Sequence, residues 1–337
     1  MKSQRNKPEG QCGMLYFIVN EKSRSGKGAE IWQEVKTSLS EKQINYQAWT
    51  TEYAGHAFSL AKEITNRDEE DISLVVVGGD GTTNEAINGM EHMEKVRLGV
   101  IPTGSGNDLA RGLHITGTPT ENLEHLLACS EKTREENRML DLGQVSWNDG
   151  KESRLFIISS GVGLDALVCK RALKSRLKDF LNKIHLGKLT YVAITVLSLF
   201  SMRTADAMVQ YRVDDAAPKK RLPKTIYIAA MNFPMEGGGV PMAPKADASD
   251  GMLSMCSASG IPKWRTFFCL PFLVLGKHLW IRGFDVYDTK KCRLHLKEPM
   301  VLHADGEYCG DVTEVTFTCL PHKLCVLREP AAENQSY

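Results

Sequence analysis

Apolar and polar positions along the first 130 residues fall into blocks that switch period. Residues 14–19 (MLYFIV) form a compact apolar run of strand type. It stops at a polar segment, 20–28, rich in Ser and Gly. Ile31, Val35 and Leu39 then recur at spacing four, which predicts a helix with one buried face. Residues 44–51 read as extended, and Phe58, Leu60, Ala61 and Ile64 predict a helix over 57–64. Residues 72–77 are almost unbroken apolar and rich in β-branched side chains, the pattern of a strand covered on both faces. A helix over 82–90, a short strand at 98–101 and helical stretches near Leu109 and over 121–129 follow. This alternation predicts a parallel α/β sheet.

The pattern then changes. Segments 139–147, 154–159, 208–213, 225–231, 253–258, 286–289, 292–297, 315–319 and 324–327 all read as extended. A helical stretch at 165–203 interrupts them, and a shorter one lies near 263–280. A chain of 337 residues favours two domains. The expectation is an α/β domain at 14–135, completed by about 318–330, and a strand-rich β-sandwich domain at 136–317 with a helical insertion at 165–203.

Composition narrows the function classes. The formal net charge of +1 gives no global pull toward nucleic acid, and no nucleic-acid partner is expected. Nine scattered cysteines with no C-x-x-C predict reduced thiols and a cytoplasmic protein. Cys319, His322 and Cys325 stand three apart, but a C-terminal strand and turn explains them more simply than a metal site. Residues 1–12 are polar, without the apolar core of a signal peptide, and read as a tail. The longest apolar stretch past residue 180, at 189–200, falls short of the roughly 20 residues of a membrane span.

Three polar turns, 20–28, 78–85 and 102–107, leave predicted strand ends. Ligands of open α/β sheets sit at the carboxyl ends of strands. Glycine there lets a phosphate approach backbone N–H groups, and a following helix points its positive end at the anion. No G-x-x-x-x-G-K-[ST] occurs, so this is not a P-loop protein. Gly161-Val162-Gly163-Leu164-Asp165-Ala166 fits G-x-G-x-x-A, but it lies in the strand-rich half with no βαβ unit after it.

Gly78-Gly79-Asp80-Gly81-Thr82 with Asn84-Glu85 resembles the GGDGT-x-NE signature of the diacylglycerol kinase catalytic-domain family. Pro102 to Asp108 is similar to that family's P-x-GT-x-ND. The resemblance continues in order through 161–166, Gly237-Gly238-Gly239 with Ala243-Pro244, Asp250 to Leu253, Gly276-Lys277-His278 and Asp305-Gly306-Glu307. The compact length looks like the soluble bacterial lipid kinases. Two departures stand out. Asn20 is followed by Glu21, and Ser25-Gly26 comes two residues later than in the family's N-P-x-S-G. Ser105 replaces the usual threonine and keeps the hydroxyl.

The resemblance implies an NAD-kinase-like α/β nucleotide-binding domain followed by a β-sandwich, and an ATP-dependent kinase that uses Mg²⁺. Gly79, Asp80, Gly81, Thr82, Thr83, Asn84 and Glu85 would cover the nucleotide phosphates with Asn20, Ser25 and Gly26; Thr51 and Ser105 match nucleotide-contacting hydroxyls. Asp80 would meet a catalytic Mg²⁺ through water or the phosphates, while Asp108 is expected to cap the helix that starts at Leu109. Glu307 takes the place of the general base. Asp247, Asp250 and Met252 match a second, structural Mg²⁺ site built from a side chain and backbone carbonyls.

The implied reaction phosphorylates a lipid hydroxyl, diacylglycerol to phosphatidic acid. A kinase of another lipid or a sphingoid base, an NAD kinase and a catalytically silent lipid-binding module are the alternatives, and a homodimer is left open. Basic and aromatic residues side by side suit an anionic membrane surface, met peripherally and transiently at the inner face of the membrane. Two segments qualify. Residues 170–188 carry seven Lys and Arg against one acid, Asp179, and 261–284 mixes Trp264, Phe267, Phe268, Phe272 and Trp280 with Lys263, Arg265, Lys277 and Arg282.

Overall fold

The structure, a computed structural model, describes residues 14–174, 187–211 and 218–330. The N-terminal tail and the centre of the basic run 170–188 lie outside these. The chain divides into two compact units: one runs to Leu140 and resumes at His322, the other is Asp141–Pro321.

The first unit is a parallel sheet. Strands β1 (Leu15–Val19), β2 (Tyr46–Thr50), β3 (Ile72–Gly78) and β4 (Val96–Pro102) lie in the order β4-β3-β1-β2. Cys325 and Val326 extend the sheet beside Arg97 and Leu98 of β4. Every residue of β3 is buried, as its unbroken apolar run predicts for a central strand. Successive side chains of a strand point to opposite faces. Leu15, Phe17 and Val19, with Val75, Val77 and Ile101, therefore pack on one face. There they meet Trp32, Val35 and Leu39 of α1 (Lys27–Glu41) and Leu123, Leu126 and Leu127 of α5 (Pro119–Glu131). Helix α5 starts as its sequence dictates. Pro119 occupies the first turn, and Thr118 and Glu121 form a reciprocal capping box. Helices α2 (His56–Thr65), α3 (Asp80–Gly89) and α4 (Asp108–Gly112) complete the unit.

Arg97, only 4% exposed, is the buried cation of this unit that the ladder does not explain. Its guanidinium meets Asp71 twice, at 2.8 and 2.7 Å, and donates to the carbonyls of Ser130 and Lys132 at the end of α5. A buried charge persists only when paired and hydrogen-bonded in this way.

The second unit is antiparallel. Strands β10 (Tyr227–Met231), β11 (Leu253–Ala258) and β12 (Phe284–Thr289) follow one another from β7 (Ser159–Gly163). On its other side β7 pairs with the end of β13 (Lys291–Ala304), which pairs with β14 (Glu307–Val326). The first half of β13 pairs instead with β8 (Ala205–Gln210), which carries β9 (Lys220–Thr225), and β5 (Arg138–Trp147) forms a hairpin with β6 (Glu152–Phe156). Helices α6 (Leu164–Lys174), α7 (Gly187–Ser201) and α8 (Lys263–Val274) lie among these strands in sequence.

Two readings change. Residues 161–163 belong to strand β7, beyond the 154–159 segment expected to be extended. The pieces expected at 292–297, 315–319 and 324–327 belong to two long strands. Pro299 sits in the register shift of β13 between His295 and Met300, where no ladder donor is needed.

Replacing Arg97 strands Asp71 and the α5 carbonyls. Arg97→Met is expected to lower unfolding free energy by about 3 kcal/mol, read from a denaturant midpoint, with no change in the slope.

Candidate active site

In the first unit the strand tips are held level by backbone bonds. Asn20 N–H donates to Val77 at 2.8 Å, Thr51 N–H to Val19 at 2.8 Å and Thr103 N–H to Gly78 at 2.9 Å. The three predicted turns thus meet at one end of one sheet. The β3 and β4 turns touch through glycine. A Cβ on Gly79 would lie 3.2 Å from the Gly104 Cα, and one on Gly104 2.9 Å from the Gly79 Cα. Helix α3 begins immediately at Asp80, so the expected turn at 78–85 is two glycines and then helix. Its N-cap residue is Gly79, which has no side chain to cap it. The open end and the helix dipole make it a place for an anion.

The predicted nucleotide residues separate into two sets. Asn20 Nδ2 donates to Thr82 Oγ1 at 2.9 Å, joining the first two turns. Gly26, Gly79, Asp80 and Gly81 are half-buried, while Ser25 and Ser105 are exposed. Thr51, by contrast, is buried at the end of β2. Thr83 and Asn84 are also buried, and Thr83 Oγ1 donates to the Gly79 carbonyl at 3.2 Å. Glu85 accepts from Gly55 N–H at 2.9 Å and so fixes the turn after Thr51. In the extended first loop, Arg24 and Ser25 take positive φ, and Ser23 rather than Ser25 reaches across, 2.6 Å from Thr103 Oγ1. Ser23 and Thr103 lie outside the residues the signature specifies, so the motif gives no sign of this contact.

Asp80 reaches a different helix. Its carboxylate accepts from Asp108 N–H at 3.1 Å and Leu109 N–H at 3.2 Å, at the start of α4. Asp108, expected to be that cap, is the first helical residue and pairs with Arg111 instead. The cap is therefore supplied from 28 residues away, which no local spacing reveals.

In the second unit the D-G-E segment is the hairpin between β13 and β14. Asp305 takes positive φ, and its carboxylate accepts three backbone N–H groups: Ile157 at 2.9 Å, Ile158 at 2.8 Å and Ser159 at 3.0 Å. Asp305 N–H returns a bond to the Ser159 carbonyl at 2.8 Å. Gly306 supplies the second positive φ of the turn. Glu307, first residue of β14, is half-buried. The turn thus gives one acid to the scaffold and presents the other.

The predicted metal residues lie on a second turn of this unit. Asp247 accepts from Ser249 N–H at 3.0 Å and Asp250 from Met252 N–H at 2.8 Å. Burial, outweighing the Met252 bond, and the charges of Asp247, Asp141 and Asp288 push the Asp250 carboxyl up. Asp141, fully buried, accepts from Gly251 N–H at 2.6 Å. This crowding of like charge is what a divalent cation relieves, and the donor set of carboxylates and turn carbonyls is all oxygen, as Mg²⁺ requires. Asp141 and Asp288 escaped the sequence reading because they are distant in the chain.

The same unit carries an outward aromatic face. Helix α8 buries Thr266 and Cys269 and exposes Trp264, Phe268 and Val274. Leu275 and Trp280 are exposed as well, and the Phe200 ring of α7 lies 6.1 Å from that of Phe267, tilted by 46°. Arg265, Lys277 and Arg282 are exposed beside it. Among the described residues no helix is long and apolar enough to cross a membrane.

Comparison with known proteins places this geometry. Residues 14–145 match the diacylglycerol kinase catalytic domain, and 158–328 match the YegS C-terminal NAD kinase beta sandwich-like domain. The chain belongs to the diacylglycerol kinase catalytic-domain family, in the form that carries this C-terminal domain. It is 28% identical over 290 residues to a diacylglycerol kinase of Bacillus subtilis (84% of this chain, 87% of the relative). It is 25% identical over 280 residues to one of Staphylococcus carnosus (83% of each). The fold matches a diacylglycerol kinase crystal structure from Bacillus anthracis with a TM-score of 0.68 at 18% identity, over 94% of this chain and 97% of that one. An NAD kinase from Archaeoglobus fulgidus in complex with ATP gives 0.51 at 13% identity, over 94% of each. The expected architecture, an NAD-kinase-like α/β part followed by a strand-rich, sandwich-like part, is the one observed.

Asp305→Asn keeps one acceptor oxygen, for at most two of the three N–H groups, and turns an amide donor toward the third. It is expected to cost about 2 kcal/mol, seen as a lower thermal midpoint.

Proposed function

We propose that the chain is an ATP-dependent lipid kinase that converts diacylglycerol to phosphatidic acid. The observation that carries this reading is the turn in which Asp305 is fastened by three backbone N–H groups while Glu307 is left to act. Glu307 takes the proton of the lipid hydroxyl. The hydroxyl oxygen forms a bond to the γ-phosphorus as the bond to the β–γ bridging oxygen breaks, and ADP leaves. The N–H groups at the open start of α3, with Asn20 and Ser105, hold the phosphates. Mg²⁺, when bound, neutralises phosphate charge. Asp80 would meet that ion through water, while Asp247, Asp250 and the Met252 carbonyl would hold a structural one.

The aromatic face of α8 serves as the contact with an anionic bilayer. Its indole and phenyl rings suit the headgroup boundary, and Arg265, Lys277 and Arg282 supply charge of the matching sign.

With ATP, Mg²⁺ and a panel of diacylglycerol, sphingosine, ceramide and NAD, phosphatidic acid is the expected product. Glu307→Gln is expected to slow its formation at least ~100-fold with little change in the KM for ATP. NADP or a sphingoid phosphate as the main product would replace the substrate assignment; lipid binding without turnover would favour a silent module.

Trp264→Ala with Trp280→Ala is expected to reduce co-sedimentation with phosphatidylglycerol vesicles, and salt should weaken binding of the parent. Equal binding to neutral vesicles at every salt concentration would overturn the docking assignment.

A further inference from the structure

His303 lies on β13 three residues before Gly306, and its side chain is 2% exposed. Both ring nitrogens are engaged. Gly306 N–H donates to Nδ1 at 3.1 Å, and Nε2 lies 3.2 Å from Asp165 Oδ2. A backbone N–H can only donate, so Nδ1 carries no proton. The proton of the neutral ring therefore sits on Nε2 and is donated to Asp165. Asp165 stands in the first turn of α6, where the helix dipole favours negative charge. Gly161 clears its path: a Cβ there would lie 2.1 Å from Asp165 Oδ2. The glycine of the G-x-G-x-x-A string makes room for a carboxylate, not a phosphate. Ser160 Oγ donates to the His303 carbonyl at 2.6 Å and anchors the same residue from the backbone side.

Glu236 completes a trio with Asp165 and His303 whose polar atoms lie within 4.8 Å of one another. A cation bound through His303 Nε2 would need that nitrogen bare, with the proton on Nδ1. That proton would point at the Gly306 N–H. The hydrogen bonding opposes a metal site and favours a different use of the trio.

We infer that Asp165 and His303 are positioning residues for Glu307, the neutral ring holding the Gly306 N–H and thereby the turn that presents the carboxylate. This rests on Glu307 being the base of the proposed reaction. Protonating the ring places a hydrogen on Nδ1 and breaks the Gly306 bond. Burial alone would push the His303 pKa down. The hydrogen bond to Asp165 and the charges of Asp165, Glu236 and Asp305 outweigh it and raise the pKa. Tyr227 and Cys256 lie near Asp165 and Glu236 and stay neutral, both pushed up by burial. The sign follows: the turn is held while the ring is neutral and released as pH falls through the raised pKa. The acid side of the kcat profile then begins closer to neutrality than a free histidine would place it.

Three variants and one spectrum test this in the full chain. His303→Leu removes the acceptor and is expected to lower kcat roughly 10- to 100-fold with the KM values for ATP and lipid unchanged. His303→Asn keeps an acceptor near the Nδ1 position. It is expected to recover kcat to within about threefold of the parent and to move the acid-side decline to lower pH. Glu307→Gln is run in parallel, and the imidazole nitrogen shifts of the parent should show the Nε2–H form at neutral pH. His303→Leu at the parental rate, His303→Asn as slow as His303→Leu, both variants unfolded at the assay temperature, or an Nδ1–H signal each overturns the inference. Full activity of Glu307→Gln instead overturns the base assignment, and the nitrogen shifts then decide the Gly306 bond by themselves.

Discussion

A backbone N–H must find a partner wherever water cannot reach it, and both units are organised by which side chain answers that demand. In the first unit Asp80 answers for the start of α4, 28 residues away. In the second, Asp305 answers for Ile157, Ile158 and Ser159 together. Each carboxylate fixes a loop that no secondary-structure ladder holds. What remains uncapped is then meaningful. The N-cap of α3 is a glycine with no side chain of its own, and the Gly79–Gly104 approach leaves no room for a Cβ there. A helix start of this kind suits an anion, as the proposed function requires.

The same logic explains why aspartate, with glycine beside it, recurs in both motifs. A short carboxylate reaches backbone donors around a tight turn, and the adjacent glycine takes the positive φ or the close contact that the turn needs. In Asp305-Gly306-Glu307 the two acids are adjacent in type but opposite in use. Asp305 is consumed by three N–H bonds, and the longer Glu307 begins the next strand half-buried. Of the two, Glu307 is the acid to which the proposed function gives the chemistry.

The periodicity of the chain carried most of the architecture. The unbroken run at 72–77 marked the central strand, and the spacing of Ile31, Val35 and Leu39 marked α1. Glycine-rich strand ends marked the candidate site because small residues at three tips have few other uses. Pattern reading failed where partners are far apart in sequence. His303 and Asp165 are separated by 138 residues, and the cap of α4 comes from α3. It also failed where one residue type serves two ends. Thr83 and Asn84 look like loop polar groups beside a phosphate, yet they sit inside α3, buried. Gly161 looks like a phosphate glycine, yet it yields space to Asp165.

The outward face of α8 breaks the usual arrangement of a helix on a folded unit. An amphipathic helix turns its apolar stripe to the core, because burial of each large side chain gains about 1.5–3 kcal/mol. Here the buried positions are Thr266 and Cys269, and Trp264 and Phe268 point out, 62% and 66% exposed. Trp280, at 72%, and Leu275, at 66%, extend the same surface beyond the helix. A contiguous face of this kind forfeits stabilisation in water and marks a contact surface. The flanking arginines and lysine would oppose an apolar protein groove, whereas a bilayer with anionic headgroups accepts rings and cations at adjacent depths. The face therefore supports the proposed contact with a bilayer.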